Sequence, residues 1–531
     1  MLNKIPPRLT KQALYDMLAG RFSTEEKKLS HIPPPHLLLN ATKASQRIAD
    51  AISNNQKITL VGDYDVDGVS ATAIMVDFFR QIPYKLDVVI PNRFHDGYGI
   101  SPTLLKRIDA DLIITVDNGI TAIEAAQICK DRGIDLIITD HHTPSATLPD
   151  AYTIVDPKLD ECNYPFKEIC GAQVGWLVLA LLKKELNLAI DMKQFLDILA
   201  IAIIADVMPL IDINRTLVQE GLKLLLHTQR PASIIIRDFL NKKSITSEDI
   251  AFLIAPRLNS AGRLEDATIA LKFFTATSTH EAYTLFEQLS TLNELRKETE
   301  QQTTKEALEQ IDENDLIAVV AQKDWHEGVV GIVASRIVDK YQKPAIVLSI
   351  NEQHAKGSAR SIGDVNIYQL IKENESFLQK FGGHKMAAGL GLHKDSIEAF
   401  KKALNKSASQ IDKELFIPKE HLSGILDSSD IDMELLDILE RFEPYGEANQ
   451  RPIFLFHEAQ VVRVQYIGAQ KNHSKITIRQ YPNHSNTVEL LAFNTVYTPT
   501  KDKKITCSYT VSKNEFNGRI TPQLLIHKVY Q

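Results

Sequence analysis

Three aspartates at alternate positions, Asp63, Asp65 and Asp67, close the stretch "ITLVGDYDVDG" at residues 58–68. In an extended segment they would share a face, with Tyr64 and Val66 on the other. Carboxylates this close raise one another's pKa and destabilise a fold unless a cation lies among them, so the spacing points to a divalent metal. The competing reading is an acidic loop that caps a helix starting near Ser70. Further along, "TVDNG" places Asp117, and "TDHHT" places Asp140, His141 and His142, at the ends of similar apolar runs. A turn explains a lone DNG and a solvated surface explains a lone histidine pair, but three such motifs at successive strand ends are hard to assemble by chance. Asp65, Asp67, Asp117 and His141 form a mixed oxygen and nitrogen set that suits manganese or magnesium better than structural zinc. Asp206 closes the apolar run "ILAIAIIAD", where an unpaired charge is costly, and is the candidate for a further ligand. Two divalent ions clamp the attacking and leaving oxygens of an in-line displacement at phosphorus, with Asp117 placed to bridge them. His142 could then stabilise charge on a phosphate oxygen or protonate the leaving group. The chemistry inferred is hydrolysis of a phosphoester or phosphoanhydride.

A second set of residues suits anions. "PNRF" carries Arg93, "PRLNSAGR" carries Arg257, Asn259 and Arg263, "KGSARSIG" carries Lys356, Ser358 and Arg360, and "FGGHKMAAG" carries Gly382, Gly383 and His384. Arginine forks match phosphate oxygens in pairs, and glycine pairs expose N–H groups that cradle anions. Each alone is as easily a surface arginine or a turn. Together they give a substrate with several phosphates anchors at a distance from the metals.

The elements that must hold these residues are legible in outline. "DLIITVDNG" (111–119) and "DLIITDHHT" (135–143) echo each other, and "TAIEAAQICKDRG" between them reads as a helix closed by Gly133. Strand, helix, strand at this spacing is a parallel βαβ unit. The opening stretch has the same grammar, a strand over 58–62 and a helix from about 70 to 80, while "LDVVIPN" and "YTIVDP" add strands. Ligands of open parallel sheets gather beyond the carboxyl ends of the strands, where every polar cluster above falls. The run from 280 to 311 carries Leu285, Leu289 and Leu292 at helical spacing and predicts a long helix bridging two domains. A second α/β unit follows, with strands near "LIAVVAQ" and "PAIVLSI", a helix near "GIVASRIVDKY" and two glycine-bearing turns. Beyond about 412 short alternating runs predict a small β-barrel or sandwich, and an OB-like barrel of five strands fits the length.

At 531 residues the chain exceeds what one core supports. Its four cysteines form no CxxC pair, which points to a reducing compartment. "MLNKIPPRLTKQ" has no apolar signal core, and the most apolar run is too short for a bilayer, so a cytoplasmic protein without membrane contact is expected. The net charge of -7 argues weakly against nucleic acid, but a carboxylate-rich metal site brings its own charge, and a local basic track is what a strand requires.

At these residues the sequence resembles the DHH phosphoesterase superfamily and, within it, the bacterial RecJ single-strand exonucleases. The motifs "VGDYDVDG", "PNRFHDGYG", "TVDNGI", "TDHHTP", "CGAQVGW", "IADVMPL", "PRLNSAGR", "HEGVVGIVASR", "GSARSIG" and "FGGHKMAAG" run in the family's order from about 58 to 390. The resemblance implies an α/β protein in four parts. These are an N-terminal segment plus parallel-sheet DHH catalytic domain over 1–263, connecting helices over 264–315, a DHH-associated nucleic-acid-binding domain over 316–411 and an OB-like barrel over 412–531. It implies Asp65, Asp67, Asp117, His141 and Asp206 as ligands of two Mn2+ or Mg2+ ions, with Asp63 in the same motif and Asp63 and His142 as catalytic groups. Arg93, Arg263, Ser358 and Arg360 would hold a terminal phosphate, with His384 nearby. The implied activity is stepwise 5'-to-3' release of mononucleotides from single-stranded DNA in repair and recombination, by a monomer. Contacts with single-strand-binding protein and a helicase are implied by the resemblance alone. A phosphodiesterase of short oligonucleotides or cyclic dinucleotides on the same fold would leave the long helix and β-rich tail idle. A non-enzymatic scaffold would have lost the acidic motifs. Two departures stand out: Val61 where many relatives carry histidine, which thins one metal's ligand set, and Ala448 where glycine is usual.

Overall fold

The computed structural model describes residues 5–22, 27–418, 421–481, 486–493, 495–516 and 518–530. Met1–Lys4 of the expected N-terminal segment lie outside the described residues.

Strands β1 (Ile58–Val61), β2 (Asp87–Val89), β3 (Leu112–Val116), β4 (Asp135–Thr139) and β5 (Thr153–Val155) form an all-parallel sheet in the order β2-β1-β3-β4-β5. Every residue of β1 and β3 is buried, as expected of parallel strands covered by helices on both faces. The register sets Val61 beside Thr115 and Val116 beside Thr139, which brings the carboxyl ends level. Asp63, Asp117, Asp140 and Asp156 follow those ends, so one rim of the sheet collects the acids.

The helix after β1 spans Val66–Phe79, four residues earlier than the expected start at Ser70. Asp65 is its N-cap, its side chain accepting the Gly68 N–H at 3.0 Å, and Asp67 lies in its first turn. The three aspartates therefore do not alternate along an extended strand. A strand, a tight turn and a helix start gather them, because Asp65 satisfies a free helix N–H.

The helix Thr279–Leu308 is 30 residues long, about 45 Å at 1.5 Å per residue. It packs on Pro231–Leu240, Ala255–Leu264 and Thr268–Phe274 of the first domain and on Val330–Tyr341 of the next. Beyond it lie β6 (Ala318–Lys323), β7 (Ala345–Asn351), β8 (His354–Arg360), β9 (Leu378–His384) and β10 (Ala387–His393), a mixed sheet ordered β6-β7-β8-β10-β9. Gly382 and Gly383 are strand residues of β9 opposite Gly389 and Ala388, not a turn as expected.

The C-terminal part contains β11 (Leu422–Gly424), β12 (Ile453–Ile467), β13 (His473–Arg479), β14 (Val488–Ala492), β15 (Lys504–Phe516) and β16 (Arg519–Tyr530). The ladder β12-β13-β14-β16-β15 returns to β12, with β14 and β16 parallel, and closes the expected five-stranded barrel. The N-terminal helix Lys11–Ala19 packs into the core of this part. Leu14 and Leu18 are too few to make a core of their own, and they bury against Leu435, Leu439 and Phe454. Lys11 pairs with Asp432 at 2.5 Å and Glu434 at 2.7 Å.

Candidate functional site

The acids converge. Ligand-capable atoms of Asp63, Asp65 and Asp117 lie within 4.8 Å of one another, and so do those of Asp67, His141 and Asp206, and those of Asp117, His141 and His142. His141 Nε2 stands 3.1 Å from Asp117 Oδ1, 3.5 Å from Asp206 Oδ2 and 3.7 Å from Asp67 Oδ2, linking the groups. Asp63 Oδ1, Asp117 Oδ1, Asp206 Oδ2 and both His141 ring nitrogens are buried without a hydrogen-bond partner among the described residues. Buried polar atoms are normally paired, so the unpaired oxygens of Asp63, Asp117 and Asp206, gathered with His141 Nε2, fit a cation.

The electrostatics agree. Burial, then Asp65, holds the Asp63 carboxyl well above its ordinary range. Burial, then Asp67 and Asp65, does the same to Asp117, and burial with Asp67 pushes Asp206 up to about 9. Burial keeps the His141 pKa below its usual value, so the ring is neutral and free to ligate. Oxygen donors with one imidazole and no thiolate suit Mn2+ or Mg2+.

Each of these carboxylates is held by its own scaffold. Asp67 accepts the N–H groups of Gly171 at 2.6 Å and Ala172 at 3.0 Å, where the helix Gly171–Glu185 begins. Asp117 sits in the left-handed region at φ 62°, and its N–H donates to Thr139. Asn118 Nδ2 donates to the carbonyls of Val61, Gly62 and Val116, tying the ends of β1 and β3 together. Val61 is buried in the apolar core, and Asp63 is one of the group of acids with Asp65 and Asp117.

His142 lies at the edge of the cluster. Its Nδ1 is 2.7 Å from Asp140 Oδ1, and its Nε2 is 3.4 Å from the Tyr98 hydroxyl. Burial pulls this imidazole down, but the Asp140 hydrogen bond and nearby acids outweigh it and hold its pKa up at about 9.

The anion-binding candidates fall into two groups and one outlier. Arg93, Asn259 and Arg263 line a pocket of about 200 Å³ together with Asp65, Asp67 and Asp206. Arg93 lies over the Tyr64 ring, 4.2 Å from its centroid. Burial, then Arg93, Arg296 and Arg360, pulls the Arg263 pKa down to about 10, the mark of crowded cations. Ser358, Gly382, Gly383 and His384 line a cavity of about 800 Å³ that faces His142 and Tyr98. Arg360 and Ser358 border Gly331, whose imagined β-carbon would lie 3.1 Å and 3.3 Å from them. Arg257 stands apart, with its guanidinium over Phe239 at 4.4 Å and donating to the Leu253 carbonyl. "PRLNSAGR" is helical, and Arg257 leaves the helix on the face opposite Asn259 and Arg263.

A groove of about 960 Å³ runs from this pocket between the first domain and the barrel, sharing Asn259 and Arg263 with it. Phe252, 75% exposed, and Phe493, 52% exposed, line it.

Comparison with known proteins places this arrangement. The DHH family N-terminal domain matches residues 57–203, the DHHA1 domain 313–410 and the RecJ OB domain 422–528. The single-stranded-DNA-specific exonuclease RecJ of Haemophilus influenzae is 33% identical over 540 residues, covering 94% of this chain and 92% of that protein. The chain belongs to the RecJ family. RecJ of Bacillus subtilis is 36% identical over 509 residues, 93% of this chain and 63% of that longer relative. The structure of RecJ from Thermus thermophilus in complex with Mn2+ superposes with a TM-score of 0.82 at 28% identity, over 94% of this chain and 73% of that one. The Mg2+ complex from the same organism gives 0.80 at 26% identity, over 99% and 75%.

Within that RecJ frame, sequence reasoning missed four residues. Tyr98 faces His142, Asn118 braces two strand ends, Arg296 joins the arginine cluster from the long helix, and Gly171 lies against Asp117. Tyr98, Asn118 and Gly171 fall inside "PNRFHDGYG", "TVDNGI" and "CGAQVGW", which was the available signal. Arg296 had none, since only the fold brings its helix to Arg263.

Proposed function

We propose that this chain is a divalent-metal-dependent exonuclease that releases mononucleotides from single-stranded DNA in the 5'-to-3' direction. The observation that carries this reading is the continuity of the acid cluster, the arginine pocket and the 960 Å³ groove through Asp65, Asp67, Asn259 and Arg263. Asp63, Asp65 and Asp117 would hold one ion, and Asp67, His141 and Asp206 the other. Bound there, Mn2+ or Mg2+ would supply Lewis-acid polarisation of the phosphate and a nucleophilic water at neutral pH.

The residues do the rest. Arg93, Arg263, Arg360 and Ser358 bind the strand's terminal phosphate and set the next phosphodiester over the acids. His142, charged through Asp140, hydrogen-bonds a phosphate oxygen or gives its Nε2 proton to the departing 3'-oxygen. Water adds at phosphorus, the bond to the 3'-oxygen breaks, and the shortened strand again ends in a 5'-phosphate for the same pocket. Phe252 and Phe493 offer stacking faces along the groove, which favours single strands over duplex. A short-oligonucleotide phosphodiesterase would leave that groove without a task.

A role in repair and recombination in the cytoplasm, action as a monomer, and contacts with single-strand-binding protein and a helicase complete the reading. No helix among the described residues is long and apolar enough to cross a membrane. The test is a time course on end-labelled single and double strands with Mn2+, Mg2+ or chelator. Metal-dependent mononucleotide release from single strands is expected, and equal rates on a dinucleotide and a long strand would favour the short-substrate enzyme.

A further inference from the structure

Val207 follows Asp206 where the helix Leu196–Ala205 ends. Its φ of 55° lies in the left-handed region, which a side chain branched at Cβ enters only at a cost. The turn itself closes the helix. The Val207 N–H donates to the Ile204 carbonyl at 3.2 Å, and the Met208 N–H to the Ile203 carbonyl at 3.1 Å. Glycine would make the same turn without the penalty, so the turn accounts for the backbone but not for the valine side chain. Packing does not account for it either, because Val207 is 63% exposed.

Its place in the molecule says what the side chain meets. Asp206 lines the pocket of about 200 Å³ beside the acids, and Val207 and Met208 line the groove of about 960 Å³. Ala205, Asn259 and Arg263 line both, so pocket and groove are continuous at this corner. Consecutive Cα atoms are about 3.8 Å apart, less than the reach of one nucleotide. A strand with a phosphate at Asp206 and its continuation in the groove therefore brings the first nucleotide past that phosphate to Val207. Backbone strain kept at an exposed apolar residue beside a reacting centre points to a contact made with substrate.

We propose that the Val207 side chain packs against the base on the 3' side of the scissile phosphate and holds that nucleotide at the groove's entrance. This deepens the exonuclease reading above and rests on it. An isopropyl group has no hydrogen-bonding atom, so it accepts any of the four bases, as degradation of a whole strand requires.

The experiment follows release of the labelled first nucleotide from a 5'-phosphorylated single strand in Mn2+. The strand is intact, or abasic at its second or at its sixth position. The proteins are wild type, Val207→Gly and Val207→Asn, each checked by thermal melting and by Mn2+ titration calorimetry. Glycine and asparagine both accept the left-handed backbone, so neither variant should melt below wild type. Wild type should slow about fivefold when the second base is missing, the lower end for a base held on a side chain. The variants should be slower by about that factor on the intact strand and lose nothing further with the second base, while the effect of the sixth base stays as in wild type. A folded variant that binds Mn2+ normally and keeps wild-type sensitivity to the second base overturns the contact, as does a wild type indifferent to that base. If glycine loosens Asp206 and weakens Mn2+ binding, the asparagine variant decides; weakened Mn2+ binding in both would assign Val207 to the turn alone and overturn the proposal. Wild-type protein that releases no mononucleotide from the intact strand would instead sink the exonuclease reading itself.

Discussion

A β-carbon on Gly171 would lie 2.5 Å from the carboxylate of Asp117. The same glycine gives its N–H to Asp67 at 2.6 Å, so one residue positions a carboxylate from each ligand group. Gly171→Ala should therefore displace Asp117 and lower turnover by at least about a hundredfold, as expected for misplacement near 1 Å. Mn2+ titration calorimetry should show the matching loss of affinity while the melting profile keeps its cooperative shape. Wild-type Mn2+ affinity in this variant would show that the glycine is not required by the ligands.

Asp117 adopts a left-handed backbone conformation that asparagine tolerates almost as well. Asp117→Asn removes a charge and leaves the turn unstrained, which makes it a cleaner variant than alanine. Turnover should fall below about one hundredth of wild type, beyond the range expected for outer-shell changes. Fluorescence anisotropy with a labelled single strand should show binding largely retained, because groove and arginines are untouched. Near-normal turnover would remove Asp117 from the metal centre.

The parallel sheet and the acid rim were legible because both are local. Buried parallel strands are continuous apolar runs, and the residue after each run lies at the rim wherever the chain goes next. What failed depended on contacts between distant residues. Nothing near Leu14 and Leu18 says that their partners are Leu435 and Leu439. Arg257 and Arg263 share one motif in the sequence, but that motif is helical, and the helix turn separates the two side chains. Glycine pairs usually mark turns, whereas edge strand β9 accommodates the pair of "FGGH".

Arg360 is half-buried beside Ser358 and donates to the Ala359 carbonyl at 2.9 Å, and burial pulls its pKa down. A guanidinium beside a hydroxyl can take a phosphate oxygen. Arg360→Ala should raise KM for 5'-phosphorylated strands roughly tenfold, the scale of one charged hydrogen bond. Strands ending in a 5'-hydroxyl should change little. Equal loss on both ends would place Arg360 outside the terminal-phosphate pocket.

Ala448 has φ 57°. The left-handed region costs an alanine roughly 1 kcal/mol, and glycine enters it freely, at some cost in unfolded-chain entropy. Ala448→Gly should therefore raise the melting temperature slightly. A clear fall in differential scanning calorimetry would mean that the methyl group's packing outweighs the strain.

Asp206 gives the sharpest test of the metal because its variant should move apo and loaded protein in opposite directions. Its carboxyl is pushed from an ordinary 3.8 up to about 9 by burial and Asp67, so at intermediate pH the folded apo protein binds more protons than the unfolded chain. Stability then falls as pH rises between those two values, because unfolding releases the charge into water. In chelator, wild-type protein should melt at a lower temperature at pH 8 than at pH 6, and Asp206→Asn should flatten that slope and be the more stable apo protein at pH 8. Adding Mn2+ should reverse the order, since binding stabilises only the form that keeps its ligands. Melting curves at both pH values, with and without Mn2+, decide the matter. An Asp206→Asn protein that gains as much from Mn2+ as wild type would place this carboxylate outside the coordination shell.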